Sequence, residues 1–76
     1  MDIEERIVVD PQILGGKPVI KGTRIPVHLI LELLAEGLPA DKILKEYPEL
    51  MRDDIQVALV YASKLLKREA VVLLEA

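Results

Sequence analysis

Apolar side chains change their spacing along this chain, and each spacing predicts an element. Arg6-Ile7-Val8-Val9-Asp10 is a compact β-branched run bounded by Pro11, the pattern of a short strand. Gly15-Gly16 marks a turn, Lys17-Pro18-Val19-Ile20-Lys21 reads as a second short strand, and Gly22 marks another turn. A two-stranded ribbon is not stable alone in water, so it must pack on helices or pair with a second chain.

After Ile25 the spacing becomes helical. Pro26 is placed at the first helical position, where its missing N–H costs nothing. The helix continues to Glu36 and stops at Gly37, because glycine tolerates the left-handed conformation that ends a helix. Val27, Ile30, Leu31 and Leu34 form one apolar stripe, with Leu29 and Leu33 as a second beside it. One stripe suits a core and the other invites a partner. A second, shorter helix is expected over residues 39–47, with Ala40, Ile43, Leu44 and Tyr47 on one side, and Pro48 ends it. A third starts near Met51 or Arg52 and runs to Glu69 or beyond. Its main stripe is Ile55, Ala58, Leu59, Ala62, Leu65 and Leu66, and Val57 and Tyr61 form a weaker one. Residues 70–76 extend this helix or form an apolar arm.

The fold class expected is therefore mainly α: a three-helix helix-turn-helix bundle with a short N-terminal β-hairpin. One domain spans residues 1–76, with the hairpin element over 6–25, the three helices over 26–69 and an extension over 70–76.

Composition sharpens this picture. A chain of 76 residues has a marginal core and usually needs a disulfide, a metal or a second subunit. It has no cysteine and one histidine, so neither a disulfide nor a zinc site of nitrogen and sulfur ligands is available. Hydrophobic residues make up 51% and mean hydropathy is +0.30, with no Phe or Trp. That leaves association or a very efficient core; the high apolar content favours surface shared between chains, and a homodimer through Ile7, Val9, Val19, Leu29 and Leu33 is expected. The N-terminus is acidic, unlike a secretory leader, and no apolar run approaches a membrane span. The chain is expected to be cytoplasmic, with no membrane contact, no cofactor and no small-molecule substrate.

Net charge is −3, which argues against a strongly basic nucleic-acid binder. The charge is uneven: residues 10–26 carry a net +2, from Lys17, Lys21 and Arg24 against Asp10, whereas residues 27–50 carry a net −3. Gly15-Gly16-Lys17 and Lys21-Gly22-Thr23-Arg24 have the ingredients of an anion cradle, since glycines turn N–H groups towards a ligand and cations neutralise it. The nucleotide P-loop is excluded, because Lys21 precedes Gly22 and no glycine stands five residues before it. The glycines serve either a phosphate-contacting wing or only their turns. In a helix-turn-helix the third helix enters the major groove, which makes Arg52 a base-contact candidate. Asp53 and Asp54 beside it repel phosphate and read more readily as exposed acids at the positive end of a helix dipole. His28 has no second histidine to work with, Ser63 lies in mid-helix away from any nucleophile-elbow pattern, and Glu32 and Glu36 read as solvated charge. No enzyme is expected.

The run Gly15-Gly16-Lys17-Pro18-Val19-Ile20-Lys21-Gly22-Thr23-Arg24-Ile25-Pro26-Val27, preceded by Ile7-Val8-Val9-Asp10-Pro11, resembles the signature of a bacterial and archaeal family, domain of unknown function 433. Leu33-Leu34-Ala35-Glu36-Gly37, Ile43-Leu44, Tyr47-Pro48, Asp54-Ile55 and Ala58-Leu59-Val60-Tyr61-Ala62 extend the likeness over roughly residues 5–65. The resemblance implies a homeodomain-like helix-turn-helix with an N-terminal β element. It also implies an antitoxin role beside a PIN-like ribonuclease toxin, with DNA of the operator as a further partner. Contacts to DNA or another anion are then expected from Lys17, Lys21, Thr23, Arg24 and Arg52. Val71, Val72, Leu73 and Leu74 are expected to fill a toxin groove. A protein-interaction scaffold without DNA contact is the alternative. The chain departs from the family pattern where Ser or Thr often caps the second and third helices: Pro39 and Met51 stand there. A lost cap costs about 1 kcal/mol.

Overall fold

A computed structural model describes the backbone of residues 3–74 and the side chains of residue 3 and residues 5–67. The elements follow the chain as α1 (Ile3–Arg6), β1 (Ile7–Val8), β2 (Val19–Ile20), α2 (Val27–Ala35), α3 (Ala40–Glu46) and α4 (Arg52–Leu74). The architecture is mainly helical, with α2, α3 and α4 in helix-turn-helix order and an antiparallel hairpin before them.

The hairpin is shorter than the β-branched runs suggest. Ile7 pairs with Ile20 and Val8 with Val19, and each strand is only two residues long. The ribbon gains a third rung from the far side, because Val19 also bridges Pro26 and the Ile20 amide donates to the Ile25 carbonyl. That rung holds Pro26 in an extended conformation (φ −73°, ψ 149°), so it caps α2 instead of opening it. Between the strands, Asp10 and Pro11 start a turn in which the Asp10 carboxylate accepts the Gln12 amide at 2.9 Å. The loop then passes through three consecutive positive φ values, and Leu14 (φ 50°) precedes the glycine pair. A left-handed leucine is strained by roughly 1–2 kcal/mol.

Gly37 ends α2 as its position in the sequence implies. Its φ is 93°, its amide donates to the Leu34 carbonyl at 3.0 Å, and the Leu38 amide donates back to Leu33 at 3.1 Å. These two bonds make a Schellman cap, which satisfies carbonyls that helix geometry leaves unpaired.

The core lies where ribbon and helices meet. It comprises Ile7, Ile20 and Ile25 from the ribbon, Val27 and Ile30 from α2, Ile43 from α3, Leu50 from the link, and Ile55, Val57 and Ala58 from α4. Three expectations change here. Ile7 and Val19 are buried within one protomer, so neither presents apolar surface to a second copy. Leu29 and Leu33 do not form a free second face; both are half-buried and pack against the core beside Leu31 and Leu34. In α4 the stripes are redistributed: Val57 is fully buried, whereas Leu59, Leu65 and Leu66 are exposed. The physical reason is length. Helical spacing groups residues on a face, but α4 outruns the body and leaves part of its stripe without a neighbour. Val9 is exposed at the end of the ribbon. Among the described residues no helix is long and apolar enough to cross a membrane.

Candidate functional site

The head of α4 is built from a residue pattern that hides its own chemistry. Met51 stands at the cap position; its carbonyl accepts the Asp54 amide at 2.9 Å, but its side chain has no oxygen to accept an N–H. Asp54, three residues on, supplies the missing bond from the other direction: its carboxylate accepts the Met51 amide at 2.9 Å. This is the reach-back half of a capping box. The departure from the family's Ser or Thr cap is thereby offset.

Asp54 is 5% exposed, which corrects the reading of an exposed acid pair. A buried carboxylate needs a partner, because low dielectric penalises its charge. Arg6 provides it. One guanidinium nitrogen donates to Asp54 at 3.0 Å, and the other donates to Asp53 at 3.2 Å. A single cation at the end of α1 therefore ties the hairpin to the first turn of α4 and offsets both acids there. No sequence motif announces the pairing, since 48 positions separate the two residues. The available signal was an aspartate three residues after a cap position that cannot cap.

The backbone of Arg6 also anchors the basic turn: the Lys21 amide donates to the Arg6 carbonyl at 2.8 Å, which places Lys21 across the ribbon from Arg6. The turn closes with the Thr23 amide donating to the Ile20 carbonyl at 3.0 Å, and Gly22 takes φ 81° in it. The Thr23 hydroxyl donates to the Ile20 carbonyl at 2.8 Å and accepts the Ile25 amide at 3.0 Å. Thr23 is therefore a structural clamp and leaves the list of anion contacts. Lys21 and Arg24 are exposed, with no carboxylate in ion-pair distance among the described residues. Lys17 is also exposed but lies four residues back, before β2.

Arg52 pairs with exposed Asp41 of α3. That contact competes with any role in base recognition. Gln56 is exposed one turn further along α4. His28 is bonded through Nδ1 to Glu32 at 2.9 Å on an exposed face of α2. Among the described residues no three His, Asp or Glu side chains converge as a metal site requires. The expectation placed on Val71, Val72, Leu73 and Leu74 concerns side chains outside the described residues; their backbone continues α4.

The hairpin and the order of the three helices define a small helical module of the helix-turn-helix type. The chain belongs to the family described as protein of unknown function (DUF433), whose model matches residues 7–62. It is 38% identical over 58 residues to an uncharacterized protein, y4eO, of Sinorhizobium fredii, covering 76% of this chain and 26% of that protein. It is 74% identical over 23 residues to an uncharacterized protein of Archaeoglobus fulgidus, covering 30% of this chain and 64% of the other. This chain thus matches about a quarter of the length of the first relative and just under two thirds of the second. The crystal structure of a DUF433 member protein from Anabaena variabilis superposes with a TM-score of 0.75 at 30% identity, over 88% of this chain and 69% of that one.

Proposed function

We propose that the chain is a non-enzymatic, dimeric binding module of antitoxin type, which holds the phosphate backbone of DNA at the turn of Lys21 and Arg24 beside α4. The observation that carries this reading is the Arg6 fork. It offsets Asp53 and Asp54, the two acids that would otherwise repel phosphate at the head of the last helix. Lys21 and Arg24, exposed in the turn that starts opposite Arg6, supply the positive charge. Gln56, exposed on the same helix, is of the residue type that bonds adenine in the major groove. A PIN-like toxin and DNA of the operator are the partners that the family resemblance implies.

A gel-shift assay with the protein's own promoter tests the reading. Retention that weakens with rising salt, and that is reduced by Lys21→Ala and Arg24→Ala, supports it. No retention at low salt overturns it in favour of a protein-interaction scaffold. That second reading draws on the net charge of −3 and on the exposed leucines of α4.

A further inference from the structure

The Arg6 fork has two unlike limbs. Nη1 donates to Asp54, whose side chain is 7% exposed and whose other oxygen accepts the Met51 amide. Nη2 donates to Asp53, whose side chain is 55% exposed and makes no other hydrogen bond among the described residues. The Arg6 side chain is 28% exposed, so water reaches part of it. The limbs differ in what it takes to break them. Parting a buried carboxylate from its cation is strongly unfavourable, because the charge is left with neither water nor partner. An exposed ion pair contributes little, because water solvates both ions once they part. The Asp54 limb therefore stays closed and the Asp53 limb is the one that opens. One cation also cannot neutralise two acids, so an arriving phosphate meets negative charge at the head of α4 unless Asp53 moves aside.

We infer that Arg6 is itself a phosphate contact and that Asp53 occupies its free limb until nucleic acid arrives. The inference rests on the DNA part of the reading above; it adds Arg6 to that site and makes Asp53 its internal competitor. Asp54 holds and orients the guanidinium through Nη1, while Nη2 exchanges the Asp53 carboxylate for a phosphate oxygen. Both are anionic oxygens that a guanidinium binds through the same charge-assisted hydrogen bond. Asp53 turns into water and breaks no other bond in doing so. The exchange sets a threshold for binding. A lone anion that reaches Arg6 replaces one ion pair by another and gains little. A duplex that also engages Lys21 and Arg24 gains on balance, and the Lys21 amide, bonded to the Arg6 carbonyl, ties that turn to the same backbone.

Fluorescence anisotropy with a labelled duplex of the protein's own promoter, at low salt, tests the exchange, with circular dichroism showing that each variant is folded. Asp53→Asn keeps the Asp54 limb and is expected to tighten binding about three- to fivefold, the weight of one exposed ion pair that no longer competes. Glu49→Gln removes the same charge from the exposed link before α4 and is expected to tighten it less. Arg6→Lys keeps the cation but not the fork, and in that background the gain from Asp53→Asn is expected to shrink. A gain that is equal or larger there shows that Asp53 acts only by its own repulsion, and overturns the exchange. Where Arg6→Lys does not fold, the first two variants decide, and equal gains from Asp53→Asn and Glu49→Gln overturn it. Unchanged binding by Asp53→Asn, in a protein still weakened by Lys21→Ala and Arg24→Ala, overturns the exchange and leaves the DNA reading standing. No binding by the parent or any variant overturns both.

Discussion

Replacing Arg6 by alanine tests the account at its most strongly constrained contact. The change leaves Asp54 5% exposed, with its carboxylate bonded to the Met51 amide but stripped of its cation. Removing one partner of a buried ion pair costs ~3–5 kcal/mol. Arg6 is only part-buried, so water screens some of the pair, and about 2–3 kcal/mol is expected. A chain of 76 residues has a total stability of roughly 4–11 kcal/mol, so the loss is a large share of it. At that length each 1 kcal/mol moves the thermal midpoint by about 6 °C, which gives a fall of about 12–18 °C. The assay is equilibrium unfolding of the parent, Arg6→Ala, Asp54→Asn and the double variant at one protein concentration. The double variant should be less destabilised than the two single effects summed, with a coupling of at least ~1 kcal/mol. A loss under ~0.5 kcal/mol for Arg6→Ala, or simple additivity in the cycle, refutes the reasoning. Arg52→Ala is the internal control, because its pair with Asp41 is exposed and such pairs contribute under ~1 kcal/mol.

Other substitutions follow from the same geometry. Met51→Ser places a hydroxyl at the cap opposite the reaching Asp54 and should stabilise by about 1 kcal/mol, seen as a raised denaturant midpoint. Gly37→Ala forces a Cβ into φ 93° and should destabilise by roughly 1–2 kcal/mol in the same measurement. Ile43→Ala empties a fully buried position at the junction of α3 with the core, and a loss of about 2–5 kcal/mol in chemical unfolding is expected.

Much of the fold was legible because local chemistry and tertiary packing agree. Gly37 stops α2 through bonds within six residues of chain, and the proline before each of α2 and α3 lies within one position of its place in the structure. What was illegible depends on distance or on what surrounds a face. The four-residue α1 is too short to carry a period, and the sequence pattern assigned no element before Arg6. Arg6 looked like the first residue of a strand and proved to be the cation for Asp53 and Asp54. Thr23 looked like a ligand contact, but both of its hydroxyl bonds close the turn. In α4 the period grouped Leu59, Leu65 and Leu66 with Ile55 and Ala58, yet no periodicity states where the body ends. Of the candidate site, Lys21 and Arg24 were found from local charge, whereas the place of Lys21 opposite Arg6 came only from the ribbon register.

The proposed DNA contact joins the turn of residues 21–24 with the head of α4. Nitrogen-labelled protein titrated with a short duplex of its promoter, followed by backbone amide shifts, tests this residue by residue. Shifts concentrated at residues 21–24 and over the first two turns of α4, collapsing with added salt, are the predicted result. An unchanged spectrum at low salt, or shifts confined to α3 and the exposed face of α2, contradicts it.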